Sequence, residues 1–420
     1  MKFLGKVQLV NFNERLKCTT CGGLVDCRFG MSNRDVQPFR FACPSCGSGI
    51  EVTVEQGKQP KMYGAESHPL DGHFTGENPF IDLHIDFPVS FEPYVMGQTP
   101  FLRAIGRIGR ENFQIHNFRL DSLNQLYKKH EVIERLVNLY KRKRNKVLSD
   151  LAEREFAEPA KSFKDCDTNM MMYCVIAKVF YPFSTPTSNA EDVSLYLTKF
   201  NDIVSKDKSI MDLFVKEIVD SKFIFNLQED CFEIYPRILE LELALRPALF
   251  LDYDKDYVDG SEQVPYRVSS REFKNYKDLY KDISEIISRQ VVLVAGVNNL
   301  LKRSDHNKFS DEKIKNLNDF ANKPFGKKLE YIDDTWLPIS KSVADNQLRN
   351  AVAHYKAEYD EVLQKVTYFP RQEGMKQEKP NEIYFLGFTR KILDSYRLMH
   401  SLNQLIKCLL NYEYFMRNKN

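Results

Sequence analysis

Residues 276–297 read YKDLYKDISEIISRQVVLVAGV. Tyr276, Leu279, Tyr280, Ile283, Ile286, Ile287, Val291, Val294 and Val297 recur three or four positions apart, which places them on one broad face of an α-helix. The pattern predicts a helix from about Ser270 to Arg303. Its most apolar part, Gln290 to Val297, is followed at once by Asn298, Asn299 and Lys302. That run is far short of the ~20 apolar residues that a membrane-spanning helix needs.

The same periodicity extends outward on both sides. Downstream, shorter helices are expected at 310–321 and 341–357, and a last one at about 387–416 carries Leu393, Tyr396, Leu398, Leu402, Leu405, Ile406, Leu409 and Leu410. Upstream, residues 250–270 are acidic and then turn-rich, and are taken as a domain boundary. Before them the spacing predicts helices at 168–181, 190–205, 208–220 and 232–249, punctuated by Pro182, Pro186 and Pro236. A further helix is expected from Asp121 or Ser122, as N-cap, to about Leu151, on the apolar series Leu123, Leu126, Tyr127, Val132, Ile133, Leu136, Leu139 and Tyr140.

Nearer the N-terminus the period changes to two. FLGKVQLVNF (3–12), FRFAC (39–43) and GIEVTVE (49–55) alternate apolar with polar, and IDLHIDFPVSFEPYV (81–95) does so again. Gln56 to Pro79 reads as a loop or linker. The expected fold is therefore mainly α: a β-rich metal-binding segment at 1–56, a linker and small β region at 57–120, a helical middle domain at 121–267 and a C-terminal helical domain at 268–420.

Composition narrows the class. The 420 residues are 43% hydrophobic and 28% charged, ordinary for a globular chain and incompatible with a mainly disordered one. The net charge of +2 gives no global basic excess, so any nucleic-acid contact must rest on local patches. The first residues have a single Lys before a brief apolar stretch and no small-residue cleavage site, which does not read as a signal peptide. Walker, G-x-S-x-G, H-E-x-x-H and G-x-G-x-x-G motifs are all missing.

Four of the nine cysteines stand in two C-x2-C pairs, Cys18-Thr-Thr-Cys21-Gly and Cys43-Pro-Ser-Cys46-Gly. Two intervening residues let both sulfurs reach one tetrahedral ion at ~2.3 Å, and the following glycine permits a tight turn in which backbone N–H groups face sulfur. Strand-like flanks at 24–29 and 38–42 predict a zinc ribbon with a hairpin arm between the knuckles. Four thiolates close the coordination shell, so the zinc would be structural. The odd count with paired C-x2-C spacing fits a reducing, cytoplasmic compartment. Cys27 is expected as a small buried residue, and His68, Asp71 and His73 as solvated loop residues, with a second metal site there the lesser alternative.

The remaining signal is Asp345-Asn-Gln-Leu-Arg349-Asn350-Ala-Val-Ala-His354-Tyr355. RNA cleavage by its own 2′-OH needs a proton acceptor and donor, for which histidine suits with a pKa of ~6.5. It also needs positive charge on the phosphate, which the planar fork of arginine supplies. Asn350 is four residues before His354, on the same face of a continuous helix, and could orient the imidazole or hold phosphate. Arg349 and His354 are about 140° apart around such a helix, so both face one cleft only if Arg349 lies at its start or reaches around.

The Arg-Asn-x-x-x-His string, with a long helix before it and another after it, resembles the R-x4-H motif of HEPN domains, over roughly residues 268–420. The resemblance implies an all-helical bundle and a metal-independent endoribonuclease with Arg349, Asn350 and His354 as catalytic residues. It implies RNA, tRNA included, as substrate and a homodimer that joins two motifs in a composite site. It also implies a role like that of bacterial toxins and anti-phage defence effectors, held inactive until an unknown trigger acts. No cofactor is implied for the chemistry.

Other readings stay open. An ordinary solvated helix with i,i+4 pairs Asp345–Arg349 and His354–Glu358 would show the same residues. Lys128, Lys129, Lys141, Arg142, Lys143, Arg144 and Lys146 could hold RNA phosphates or simply complement a helix dipole. Arg103, Arg107 and Arg110 share that ambiguity, and Met170, Met171 and Met172 are expected in the core. The alternative functions are a non-catalytic nucleic-acid-binding or regulatory protein, and an interaction scaffold.

Overall fold

In a computed structural model, the structure describes residues 11–55, 57–185, 188–255, 257, 266–269, 273–332, 335–339, 343, 345–353, 357–369 and 379–417. It is mainly helical, with strands concentrated before residue 91. By compactness the chain forms two units, each assembled from three separated segments. One holds the described residues up to Tyr127 with Leu241–Lys277 and Asn350–Leu393, and the other holds Lys128–Glu240, Asp278–Arg349 and those from Asp394 on. Several of the boundaries fall inside helices, so these units are not consecutive stretches of sequence.

In the first unit, β1 (Asn11–Cys18) and β2 (Leu24–Gly30) form a hairpin, and β3 (Val36–Ala42) and β4 (Gly49–Glu55) form another. β5 (Lys61–Tyr63) extends the second hairpin, while β6 (Ala65–His68) and β7 (Phe80–Leu83) flank the first in the order β6-β1-β2-β7. The expected pairing of 24–29 with 38–42 is not formed: β2 pairs with β1 and β7, and β3 with β4. The alternation in β3 and β4 turns Phe39, Phe41, Ile50 and Val52 toward Leu16, Val25, Cys27 and Phe29 in one core. Two of the strands, β5 and β6, lie in the stretch expected to be a linker. Most of the strand expected at 3–12 lies outside the described residues.

β8 (Val89–Ser90) pairs with β9 (Tyr266–Arg267), and β10 (Ala357–Asp360), β11 (Lys365–Tyr368) and β12 (Asn381–Tyr384) form a small antiparallel sheet. Residues 268–420 are therefore not all helical, and the helix expected at 341–357 gives way to β10 at Ala357. Helices α1 (Pro100–Ile108) and α2 (Arg110–Leu126) meet at Gly109, whose φ of 79° stops the first. Because α2 starts at Arg110, Asp121 and Ser122 lie in its interior and cap nothing. A buried ionic cluster fastens this unit: Arg246 donates to Glu242 at 2.6 Å, Asp86 at 2.8 Å and Asn124 at 2.8 Å, and Glu242 also pairs with Arg34. The carboxylates offset the cost of burying guanidinium.

The second unit is helical. It holds α3 (His130–Lys141), α4 (Asn145–Phe156), α5 (Asp165–Phe180), α6 (Ser188–Val204), α7 (Lys208–Asp220) and α8 (Phe223–Glu240). The single helix expected over 121–151 is broken by a 3-10 turn at Tyr127–Lys129 and by Lys143, whose φ is 54°. The helix expected at 232–249 is two, α8 and α9 (Glu242–Phe250), with Pro236 inside α8, where it forgoes one backbone hydrogen bond and does not end the helix. Then come α10 (Phe273–Arg303), α11 (Leu317–Ala321), α12 (Phe325–Tyr331), α13 (Asn346–Ala353) and α14 (Phe385–Tyr412).

α11 is much shorter than the expected 310–321 because Asn316 caps it, accepting from the Asp319 N–H. In α10, Gly296 leaves room for Phe214, whose ring would lie 2.6 Å from an added Cβ. Buried hydrogen bonds run without a break through Asn169, Tyr140, Gln228, Tyr173, Asn403, Tyr235 and His400, at 2.7–3.0 Å. They tie α3, α5, α8 and α14 in one register, since slipping any helix would strand a buried polar group. No helix among the described residues is long and apolar enough to cross a membrane.

Candidate functional site

Each cysteine pair is the turn of its own hairpin. β1 ends at Cys18, where the Cys18 N–H donates to the Gly23 carbonyl and the Gly22 N–H to the Cys18 carbonyl, both at 2.9 Å. The second knuckle repeats this, with Cys43 N–H to Ser48 O and Gly47 N–H to Cys43 O, both at 2.8 Å. Gly22 and Gly47 share a φ of 74°, the left-handed region that the sequence reserves glycine for. Gly23 N–H points at the Cys21 sulfur, 3.4 Å away.

The two turns bring four sulfurs within 4.8 Å of one another. Cys18 and Cys46 are 3.8 Å apart, as are Cys21 and Cys43. A tetrahedron with ~2.3 Å metal–sulfur bonds has edges of about 3.8 Å, whereas a disulfide needs ~2.05 Å. The donor set therefore fits one tetrahedral ion of zinc's size. The Ser48 hydroxyl and backbone N–H lower the Cys46 thiol to about 6, toward the thiolate that a metal binds, while burial raises Cys43 to about 11. Cys18 and Cys43 are buried, and Cys21 and Cys46 face solvent.

Cys27 lies outside the cluster, fully buried, and burial pushes its thiol up. His73 and Asp71 are exposed, and His68 sits in β6 opposite Arg15. Among the described residues, the four cysteines are the one group that could hold a metal.

α13 carries the second candidate. Asp345 caps it, accepting from the Leu348 N–H at 3.0 Å. Leu348, Ala351 and Val352 are buried, while Arg349 and Asn350 are half-buried. Arg349 is ion-paired with Glu285 of α10, and burial lowers its guanidinium below the ordinary arginine value. The described part of α13 is Asn346–Ala353, and Arg349 lies on its first turn. His354 itself lies outside the described residues, as does Tyr355.

Glu285 also lines a cavity of about 540 Å³ with His130, Asp230, Glu233, Asp282 and Arg289. Its cations are engaged, Arg289 with Asp230 and, at the rim, Arg237 with Asp282 at 2.8 Å. Nothing in the sequence marks this mixed-charge cleft, because its walls come from three helices far apart along the chain and contain no motif.

The basic segments divide. Arg103 bonds Ser90 at 2.6 Å and pairs with Glu92, and Arg107 pairs with Asp254 and lies over the Tyr266 ring. Both therefore serve the fold, whereas Arg110 is exposed. Lys129 pairs with Glu155, Lys141 with Glu233 and Lys143 with Asp165, while Arg142, Arg144 and Lys146 stand exposed. Met171 and Met172 are core residues and Met170 is exposed. No family model, curated protein or solved structure matches the chain.

Proposed function

We propose that the chain is a metal-independent endoribonuclease of the HEPN type, with a structural zinc ion on Cys18, Cys21, Cys43 and Cys46. The observation that carries the reading is Arg349, presented on the first turn of a capped helix, half-buried and beside a carboxylate that it can exchange for phosphate. On this reading His354 accepts the proton of the RNA 2′-OH, the 2′ oxygen attacks phosphorus, and the bond to the 5′ oxygen breaks. The leaving 5′ oxygen takes up a proton, delivered by a second histidine or by water, and the products are a 2′,3′-cyclic phosphate and a 5′-hydroxyl. Arg349 compensates charge on the phosphoryl oxygens, and Asn350 orients the imidazole or the phosphate.

Four thiolates leave the zinc no open position, so it holds the hairpins together and takes no part in the reaction. Pairing of two chains through the C-terminal segment would supply a second Arg349 and His354, and release by a trigger would suit a toxin or defence effector.

A second reading is favoured by two observations. Arg349 is engaged by Glu285 and the residues Arg142, Arg144 and Lys146 are exposed, as expected of a protein that binds RNA without cutting it. Incubating purified protein with total RNA and tRNA in EDTA, beside His354→Ala and Arg349→Ala, separates the two. Cleavage by the parent alone, leaving cyclic phosphate ends, supports the nuclease. Equal inertness of three folded, zinc-loaded proteins supports the binder.

A further inference from the structure

We infer that the turn between α3 and α4, with the segment leading into α5, is a docking surface for single-stranded RNA; the choice of RNA rests on the ribonuclease reading above. Two short stretches make one surface. Asn145 donates to the Phe163 carbonyl at 2.9 Å and to Asp165 at 3.1 Å, and Lys143 pairs with Asp165 at 2.9 Å. These bonds set residues 142–146 beside residues 161–165.

The surface is cationic and carries an aromatic ring. Arg142, Arg144, Lys146, Lys161 and Lys164 are exposed, and no carboxylate pairs with any of them among the described residues. Asp165 is already taken by Lys143, and Asp167 accepts from the Ser162 hydroxyl at 2.5 Å. Among these cations Phe163 is 54% exposed. The dipole of α3 accounts for a cation at its C-terminus, but not for Lys161 and Lys164, which lie in the segment leading into α5, nor for a phenyl ring in water. Cations that track phosphates around a ring on which a base stacks are the recognition chemistry of single strands. Paired bases offer no free face to such a ring, which favours single strands over duplex.

The test is binding of labelled 12-nucleotide single-stranded RNA to the full-length His354→Ala protein, so that cleavage cannot interfere, with duplex RNA and phosphatidylserine vesicles as comparisons. Arg142→Glu/Arg144→Glu/Lys146→Glu should weaken binding more than tenfold and flatten the log affinity against log salt slope by about 2. Phe163→Ala should cost about tenfold on single strands and little on duplex, whereas Phe163→Tyr should keep the affinity. Thermal melts confirm that each variant is folded. Unchanged RNA binding in either the triple variant or Phe163→Ala overturns the inference, as does binding of vesicles in preference to RNA. The expected losses of binding together with an inert parent enzyme sink the nuclease reading alone.

Discussion

Arg349 on α13 and Glu285 on α10 form an ion pair, and Glu285 is also part of the wall of the cavity of about 540 Å³. A guanidinium that binds phosphate must let go of this carboxylate, so the pair is a competitor built into the candidate site. Glu285→Gln keeps the side chain's size and removes the charge. On the nuclease reading it should lower KM for RNA severalfold, because charge-assisted pairing with phosphate no longer displaces an existing partner. Arg349→Lys should not substitute for Arg349, since an ammonium lacks the planar fork. Steady-state kinetics on a short RNA decide both, and an unchanged KM in Glu285→Gln means that the pair does not compete.

The cysteine cluster predicts one zinc ion per chain, measured by atomic absorption on protein purified without added metal. Cys18→Ser or Cys43→Ser should abolish the metal and lower Tm. Cys27→Ser is the control, because its sulfur is outside the cluster in the same core. It should keep the zinc while losing about 1–3 kcal/mol for a buried hydroxyl without a prepared partner. Loss of zinc in Cys27→Ser would contradict the assignment of ligands.

The four-cysteine cluster was legible because C-x2-C-G spacing is local chemistry: the turn, the glycine and the sulfurs sit within five residues. The pairing of the strands was not, since nothing in 24–29 or 38–42 says which neighbour each will take, and a knuckle closes a hairpin as well as it joins two. Long helices such as α10 and α14 followed from periodicity. The break at Lys143 did not, because a lysine in a left-handed turn leaves no mark on the apolar spacing. Glu285 and Phe163 gain their interest only from partners distant in sequence.

His84, His116 and His400 are buried, and burial lowers each from the ordinary 6.5 to about 4, because a charged imidazole would lack water there. Between about pH 6.5 and 4 the unfolded chain therefore binds more protons than the folded one, so stability falls as pH falls through that window. The loss is on the order of 2 kcal/mol per histidine at pH 5. Urea midpoints measured from pH 7.5 to 5 should decline, and His116→Gln should make the decline shallower by about one proton. His116 is the cleanest choice, because among the described residues its Nδ1 has no hydrogen-bond partner and its Nε2 meets only the Asp86 carbonyl at 3.3 Å. A flat profile in the parent would contradict burial of neutral imidazoles.

Arg267 on β9 is 7% exposed, its guanidinium lies 4.3 Å from the Phe91 ring centre, and its Nε has no acceptor among the described residues. No carboxylate pairs with it among the described residues, and burial lowers it to about 10. A buried cation without a counter-ion is costly, and the ring offsets only part of that cost. Arg267→Met keeps the volume and apolar contact while removing the charge, and should raise stability by about 1–3 kcal/mol in urea unfolding. A loss of stability would mean that the guanidinium contributes more through Phe91 than it loses by desolvation.

Lys143 holds a left-handed conformation, φ 54°, at the end of α3. Its N–H donates to the Tyr140 carbonyl and that of Arg144 to the Leu139 carbonyl, both at 3.0 Å, the paired closure that glycine usually occupies. A Cβ there costs roughly 1 kcal/mol. The exposed pair with Asp165 returns at most a similar amount. Lys143→Gly should therefore leave stability unchanged or raise it by up to about 1 kcal/mol. Yet it removes a cation, and the tie to Asp165, from the surface assigned to RNA, so affinity for single strands should fall about two- to fivefold. Urea midpoints and RNA titrations on the same preparation test the two directions together. If affinity holds while stability rises, the lysine serves neither the turn nor the ligand; if both fall, its bond to Asp165 is what keeps residues 161–165 in place beside the turn.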